Sequence, residues 1–286
     1  MASLLSSHPQ LHTGPLKEPR FFDLNYQQGL SYLEDLMKEA RPEQLRGDCS
    51  PGYFHCPWVA ERIQTHCPEA KFLVIFREPV ARAYSNWWSK YSRGVEKQTF
   101  SECVEKWLEQ RDKAISPLHL ENAEELYRRY LLSEDTRAVP YIYYFDMGIY
   151  APHLRRFRTL FQEHRVKTLS FQALIREPNA VLQECAEFLN ISPDEFPSKH
   201  SAKNQSAGPV ASKVRKLAHL SGLNRIVPIS LQKSIGHLFR NLGDDPPRLD
   251  PVLKSRLQEI YEPHNLELKK LLGHLPWESP FLLKTS

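Results

Sequence analysis

The sequence lacks several features that would point to common classes of protein. Its five cysteines include no CxxC or CxxH pair of the zinc-binding type, which argues against a metal site. No segment approaches the roughly 18 consecutive apolar residues that span a bilayer, and the start lacks the basic-then-apolar order of a signal peptide. A GxxxxGK[ST] phosphate loop is also absent, which disfavours a phosphoryl-transfer enzyme built on that loop.

The composition indicates a single folded unit. The chain has 286 residues, of which 41% are hydrophobic and 25% are charged. That is long enough for a sizeable core, and we expect one α/β domain over residues 1–286. The net charge of +4 is mild, so it gives no indication of nucleic acid as a partner, although it agrees with a polyanionic cofactor or substrate.

The stretch from Lys71 to Trp88 has the most informative pattern. Phe72 to Phe76 is a short apolar run typical of a strand buried on both faces, and Arg77 follows its carboxyl end. Pro79 suits the first turn of a helix. Four residues recur at spacings of three and four and predict that helix's apolar face: Ala81, Tyr84, Trp88 and Tyr91.

The same stretch predicts an anion site. Ligands of an open α/β sheet bind at the carboxyl ends of its strands, and a helix amino terminus offers free N–H groups to a phosphate. Arg77 and Ser85 are placed to hold such a group. The alternative is that Arg77 and Glu78 form a surface ion pair and Ser85 is merely a small helix residue.

The segment RxPxxRxxS resembles a known nucleotide-binding motif. Arg77, Pro79, Arg82 and Ser85 match the 3′-phosphate-binding segment of sulfotransferases that use 3′-phosphoadenosine 5′-phosphosulfate (PAPS). The closest similarity is to heparan-type carbohydrate sulfotransferases and their bacterial relatives. The resemblance implies a mostly parallel sheet flanked by helices, in the P-loop nucleotide-kinase-like sulfotransferase fold. It also implies sulfuryl transfer from PAPS to a carbohydrate hydroxyl without a metal.

Glu18 is the candidate catalytic base. An acceptor hydroxyl needs a positioned base to attack sulfur, and a carboxylate can take its proton. Glu18 lies in a KEPRFFD segment that resembles the family's KEPxFF-like segment. By the same resemblance, Lys17, Arg20 and Asp23 fall where relatives contact the sugar or the cofactor. The alternative for Glu18 is a solvated loop carboxylate.

Two further segments carry the resemblance. Gly47 to Phe54 is similar to the family's EKTPxYF segment, but Cys49 stands where heparan-type members have a lysine. Lys203 and Gly208 belong to a polar stretch that resembles the late loop closing over PAPS, where Lys203 faces the phosphates. A flexible linker is the alternative for that stretch.

The family's 5′-phosphosulfate loop has no counterpart in the printed sequence. Relatives have a strand and a KxGTT-like turn before the equivalent of Ala2 to Leu5, so we expect an amino-terminally truncated domain that lacks its first strand and transfers sulfate poorly. The alternative function is a weak or inactive nucleotide-binding homologue. The acceptor and the compartment stay open, with the Golgi lumen implied for a eukaryotic protein.

Periodicity predicts the remaining elements. We expect a strand over Val166 to Phe171. The predicted helical segments are Tyr26 to Ala40, Pro57 to His66, Val95 to Leu132, a helix from Pro178, and a terminal helical pair over Leu249 to Leu272.

Overall fold

The computed structural model describes residues 1–92, 95–112, 123–132, 144–197 and 246–278. In these ranges the chain is a helix-rich α/β protein with two small parallel sheets. One sheet pairs β1 (Leu11–His12) with β2 (Leu45–Arg46), and the other pairs β3 (Phe72–Phe76) with β4 (Val166–Ser170). The expected α/β class and parallel pairing are therefore confirmed, with the strands in two pairs.

The helices have the following bounds: α1 Ala2–Leu5, α2 Leu30–Met37, α3 Pro57–His66, α4 Pro79–Tyr91, α5 Phe100–Asp112, α6 Ala123–Leu132, α7 Tyr150–Phe161, α8 Phe171–Arg176, α9 Pro178–Leu189 and α10 Pro251–Leu272. Short helical turns cover Phe21–Asn25, Tyr26–Gln28 and Pro51–Phe54. The starts predicted at Pro57, Pro79 and Pro178 are confirmed. In the described ranges, no helix is both long and apolar enough to cross a membrane.

The register of β3 and β4 places the residues that follow the two strands side by side. Phe76 pairs with Ser170, so Arg77 and Phe171 leave neighbouring strands at the same end of the sheet. The predicted strand ends one residue early because the Ser170 hydroxyl accepts a hydrogen bond from the Ala173 N–H group at 3.3 Å and caps α8. The sheet thus aims the candidate arginine at the start of α8.

Burial differs from the sequence prediction at β3. Phe76 is fully buried, but the four preceding residues are partly exposed, so the prediction of a strand buried on both faces is wrong for them. Within the described ranges β3 pairs only with β4, and residues 72–76 line a large cavity. The apolar run faces this cavity.

The buried face of α4 also differs from the prediction. Val80, Ala83, Trp87 and Trp88 are buried, whereas Tyr91 is 37% exposed. Trp87 is fixed between Tyr91 and Phe100, at ring-centroid distances of 4.7 and 5.5 Å. The buried stripe is thus formed by Val80, Ala83, Trp87 and Trp88, and only Trp88 of the predicted set is buried.

A single helix, α10, stands where a helical pair was predicted. Pro263 lies inside this helix and does not end it, although a proline in a helix interior usually destabilises the helix by about 3 kcal/mol. Packing on both sides of Pro263 offsets this cost: Leu257, Tyr261 and Leu268 are buried, and the Tyr261 hydroxyl donates to the Phe145 carbonyl at 2.8 Å. Tertiary contacts therefore override the local signal.

We predict a pH-dependent stability term from Asp146, whose carboxylate accepts the Trp107 indole N–H at 2.8 Å. Burial raises the pKa of Asp146 to about 6. The folded chain therefore holds this proton more tightly than the unfolded chain. The contribution of protonated Asp146 to the free energy of unfolding is lost as pH rises from about 4 to 6. Relative to the wild type, Asp146→Asn should gain up to about 2 to 3 kcal/mol of unfolding free energy across that window.

Urea unfolding at several pH values checks this difference. Glu102 provides the opposite case, because hydrogen bonds from the Thr99 backbone and hydroxyl lower the pKa of its carboxyl. Glu102→Gln should lose stability relative to the wild type as pH rises through the acid range. A pH-independent difference for Asp146→Asn would refute the assignment.

Candidate active site

A cavity of about 2030 Å³ lies beside β3. Its wall brings together segments that are far apart in sequence, including β3, the Pro51–Phe54 turn and α4. The predicted site residues that line it are Glu18, Arg20, Arg77, Arg82 and Ser85. The candidate base and the candidate phosphate ligands therefore face one common space.

Arg77 offers this cavity a guanidinium that, among the described residues, contacts an aromatic ring and pairs with no polar group. Its guanidinium carbon lies 4.8 Å from the centre of the Phe171 ring, and its carbonyl accepts the Tyr150 hydroxyl at 2.8 Å. Among the described residues its guanidinium makes no hydrogen bond or ion pair. Burial lowers the pKa of Arg77, as expected where a charge has lost part of its hydration. An anion in the cavity would replace that hydration.

Glu78 changes how the start of α4 is used. Its side chain accepts hydrogen bonds from the Val80 and Ala81 N–H groups at 3.0 and 2.7 Å. These are the free amides that were expected to bind a phosphate, so that part of the prediction is wrong. The alternative Arg77–Glu78 ion pair is likewise not formed among the described residues. The available anion ligands are side chains.

Arg82 and Ser85 lie on the cavity side of α4 in different ways. Arg82 donates from Nη2 to the Tyr144 carbonyl, which anchors its side chain to the protein. Ser85 is exposed, and its hydroxyl makes no hydrogen bond to another described residue. The Ser85 hydroxyl is therefore open to a ligand.

Glu18 lies on an exposed loop at the cavity wall. Its carboxylate forms no hydrogen bond or ion pair within the part of the chain that the structure describes, which leaves both oxygens available to accept a proton. Lys17 beside it is exposed but does not line the cavity.

The backbone next to Glu18 has an unusual conformation. Arg20 has φ 55° and ψ 35°, in the left-handed region that a non-glycine residue rarely adopts. Its N–H group donates to the Ser50 hydroxyl at 2.9 Å, and its guanidinium donates to Asp23 at 2.6 Å. Asp23 is only 1% exposed, so its carboxylate lies beneath Arg20 and away from the cavity surface.

Tyr127, which was not singled out in the sequence, completes this buried cluster from α6. Its hydroxyl accepts from Arg20 at 2.6 Å and donates to Asp23 at 3.2 Å. Although burial by itself lowers the pKa of Arg20, its bond to Asp23 and the neighbouring Tyr127, Asp23 and Glu18 raise that pKa above the ordinary value. Arg20 is therefore a firmly charged group at the cavity wall.

A second hydrogen-bonded group fixes the other side of the loop. Asp48 accepts from the Ser50 and Tyr53 hydroxyls at 2.6 and 2.5 Å. Tyr53 in turn accepts from the Phe22 N–H group at 3.1 Å. Burial raises the pKa of Asp48, and the two hydroxyl donors oppose that effect by stabilising its carboxylate. The segment from Asp48 to Tyr53 thus determines where the loop bearing Glu18 lies.

Cys49 lies between these groups and lines the cavity. Burial raises the pKa of its thiol, and the neighbouring Asp48 adds to the effect. Cys49 is accordingly a neutral thiol. It brings no positive charge to the position at which the family resemblance implies a lysine.

Two of the predicted cofactor ligands are outside the part of the chain that the structure describes. Lys203 and Gly208 lie outside the described residues. Within the described ranges, no group of three or more His, Cys, Asp or Glu side chains is placed to hold a metal ion.

Comparison with known families identifies the group to which this site belongs. A family model described as "Sulfotransferase domain" matches residues 1–264. The chain belongs to this sulfotransferase family. The match includes the loop of Glu18, the Asp48–Tyr53 segment and α4, which together form the cavity wall.

The sulfotransferase relatives include heparan sulfate enzymes. The chain is 26% identical over 258 residues to heparan sulfate glucosamine 3-O-sulfotransferase 3B1 of Homo sapiens, covering 90% of this chain and 56% of the relative. It is 26% identical over 280 residues to 3-O-sulfotransferase 5 of Mus musculus, covering 97% and 69%. The chain thus spans little more than half the length of the first relative.

A solved sulfotransferase has the same fold. The crystal structure of a sulfotransferase from Alicyclobacillus acidocaldarius matches with a TM-score of 0.63 at 21% identity, covering 95% of this chain and 89% of the other. This likeness confirms the expected sulfotransferase fold.

We predict that Gly52 is needed for the buried Arg20 cluster. A Cβ atom there would lie 2.2 Å from the Tyr127 hydroxyl and 2.8 Å from both Arg20 and Asp23. Gly52→Ala should therefore reduce the free energy of unfolding by about 1 to 3 kcal/mol. Urea denaturation measures this. Gly47→Ala is the matched control, because its Cβ would meet nothing closer than 3.8 Å. Equal stability of both variants would contradict the prediction.

Proposed function

We propose that this chain carries the sulfuryl-transfer site of a PAPS-dependent carbohydrate sulfotransferase. The observation that carries the proposal is the common cavity, which both Glu18 and Arg77 line. Neither the Glu18 carboxylate nor the Arg77 guanidinium forms a hydrogen bond or ion pair with another described residue. Sulfuryl transfer needs a base for the acceptor hydroxyl and cations for the anionic donor. The family match and the heparan sulfate relatives support the same reaction.

Arg77 and Ser85 are the proposed ligands of the 3′-phosphate. A guanidinium and a hydroxyl supply hydrogen-bond donors that suit phosphate oxygens, and charge-assisted bonds are the stronger kind. Phe171 supports the guanidinium through the cation–π contact. Arg82, anchored at Tyr144, adds positive potential, and Lys203 and Gly208 remain proposed ligands from the late loop.

Glu18 is the proposed base. It would accept the proton of the acceptor hydroxyl while that oxygen bonds to sulfur and the bond from sulfur to the nucleotide phosphate breaks. The electron pair of the broken bond stays on the departing nucleotide. Cationic and N–H groups stabilise the charge that develops there. The nucleotide supplies the sulfuryl group, and no metal is needed for this balance.

The proposed acceptor is a polyanionic sugar chain. Arg20 presents a firmly charged guanidinium beside Glu18, and Lys17 is exposed on the same loop. We propose that both contact the sugar, and that Asp23 acts by holding Arg20 in place. The relatives are heparan sulfate glucosamine 3-O-sulfotransferases, which is consistent with this class of acceptor.

A weaker, nucleotide-binding homologue is the second candidate. Cys49 favours it, because the neutral thiol gives no charge to the leaving group where the resemblance implies lysine. If this candidate is correct, nucleotide binds through Arg77 while transfer stays slow. The two candidate functions predict different turnover rates but the same nucleotide affinity.

We predict that Arg77→Ala weakens binding of 3′-phosphoadenosine 5′-phosphate. Loss of a charge-assisted contact should cost about 1.5 to 3 kcal/mol, or roughly 10- to 100-fold in affinity. Isothermal titration calorimetry measures this. Arg176→Ala serves as control, since Arg176 is exposed at the end of α8 and does not line the cavity. Unchanged affinity for Arg77→Ala would eliminate the phosphate assignment.

We also predict that Glu18→Gln separates chemistry from nucleotide binding. Turnover by the full-length protein should fall by roughly two to four orders of magnitude with nearly unchanged nucleotide affinity. A radiolabelled sulfate-transfer assay with heparan-type acceptors measures it. Glu34→Gln is the control, because Glu34 is an exposed carboxylate on the same cavity wall. Near-normal turnover of Glu18→Gln would remove Glu18 from the mechanism.

A further inference from the structure

A histidine outside the sequence motifs lies on the wall of the same cavity. His55 follows the Pro51–Phe54 turn and is partly exposed. Its Nδ1 atom is buried and has no hydrogen-bond partner among the described residues. Because Nδ1 is buried, the opposite edge of the ring, which carries Nε2, is the edge that a ligand in the cavity could reach.

The surroundings of His55 are cationic. The ring of His153 in α7 contacts it edge-on, with centroids 5.1 Å apart and planes at 90°. Arg82 in α4 and Arg156 in α7 are the other charged groups close enough to act on it. Arg156 has its own partly compensating neighbours, the Cys56 thiol and the Glu61 carboxylate. In the part of the chain that the structure describes, the charged groups that shift the pKa of His55 include no acid.

These neighbours determine the tautomer. Burial, followed by the charges of His153, Arg82 and Arg156, lowers the pKa of His55 well below its ordinary value, so the imidazole is neutral at neutral pH. A neutral imidazole carries one N–H group and one lone pair. The lone pair is favoured on the buried Nδ1, because an N–H group there would have no acceptor among the described residues. The N–H group is then on Nε2, at the cavity.

We propose that His55 is an anion-binding residue of this cavity, whose Nε2–H group donates to an oxygen of a phosphate or sulfate group held beside Arg82. The proposal rests on the proposed function where the anion belongs to the nucleotide or to a sulfated acceptor. The bound anion supplies the negative charge that the surroundings of His55 lack. Anion binding should therefore favour the imidazolium, and the site should take up a proton as it fills.

Calorimetry with 3′-phosphoadenosine 5′-phosphate tests the proton uptake. Titrations from pH 5.5 to 8 in buffers of different ionisation enthalpy give the number of protons bound. We expect wild type to take up a fraction of a proton that His55→Phe does not, and His55→Phe to bind about tenfold more weakly at pH 6. His55→Gln keeps a neutral donor, so it should match wild type at pH 8 and lose the gain at pH 6.

His66→Gln is the matched control. His66 also lines the cavity, but its Nε2 is engaged with the Tyr26 hydroxyl at 2.9 Å. It should behave as wild type in proton uptake and affinity. Thermal unfolding of each variant verifies that it is folded. Nucleotide binding that is equal in wild type, His55→Phe and His55→Gln at every pH would exclude the nucleotide as the anion at His55. It would overturn the proposal if neither sulfate nor the oligosaccharide shifts the His55 resonances, and the proposed function would stay intact.

Two further arms separate the sources of the anion. Inorganic sulfate does not titrate in this pH range, and the His55 imidazole resonances, assigned by their loss in His55→Gln, should shift on its addition. A sulfated heparan oligosaccharide replaces it in the second arm. A shift with the oligosaccharide alone assigns the subsite to the acceptor, and one with the nucleotide assigns it to the donor. If wild type binds no nucleotide, the proposed function fails, and the sulfate arm still decides the role of His55.

Discussion

The left-handed backbone of Arg20 is the constraint on which the candidate active site depends. A non-glycine residue in this conformation is stable only when its surroundings enforce it. Here Ser50 holds the Arg20 N–H group, and Asp23 with Tyr127 hold its guanidinium. These hydrogen bonds position the loop that bears Glu18 on the cavity wall. Two distant segments, which contribute Ser50 and Tyr127, thus cooperate with Asp23 in positioning one short loop.

The cavity is divided between held and available groups. The side chains of Asp23 and Arg82 are engaged with the protein, whereas the side chains of Glu18, Arg77 and Ser85 form no hydrogen bond to another described residue. The engaged side chains hold the available ones in position, so a ligand finds its partners already oriented. This division supports a site for an anionic nucleotide and a hydroxyl acceptor. It also explains why the buried polar cluster includes a glycine, Gly52, where any side chain would collide.

Local sequence signals predicted the elements that carry the site. The strand at Phe72, the proline-started α4 and the approach of Arg77, Ser85 and Glu18 to one space followed from periodicity and from two family-like motifs. Tyr127 and His55 could not be found in this way, because their roles arise from packing between segments remote in sequence. The buried face of α4 and the continuity of α10 across Pro263 were mispredicted for the same reason, since tertiary contacts decide both.

Glu78 has a consequence for ligand selection. By occupying the first amides of α4, it cancels the generic attraction that a helix start exerts on any small anion. Recognition of an anion then depends on the side chains along the cavity wall. The cap therefore removes a site that any small anion could use, and discrimination among anions is left to those side chains. In this sense the acidic Glu78, next to the proposed phosphate ligand Arg77, contributes to discrimination rather than opposing binding.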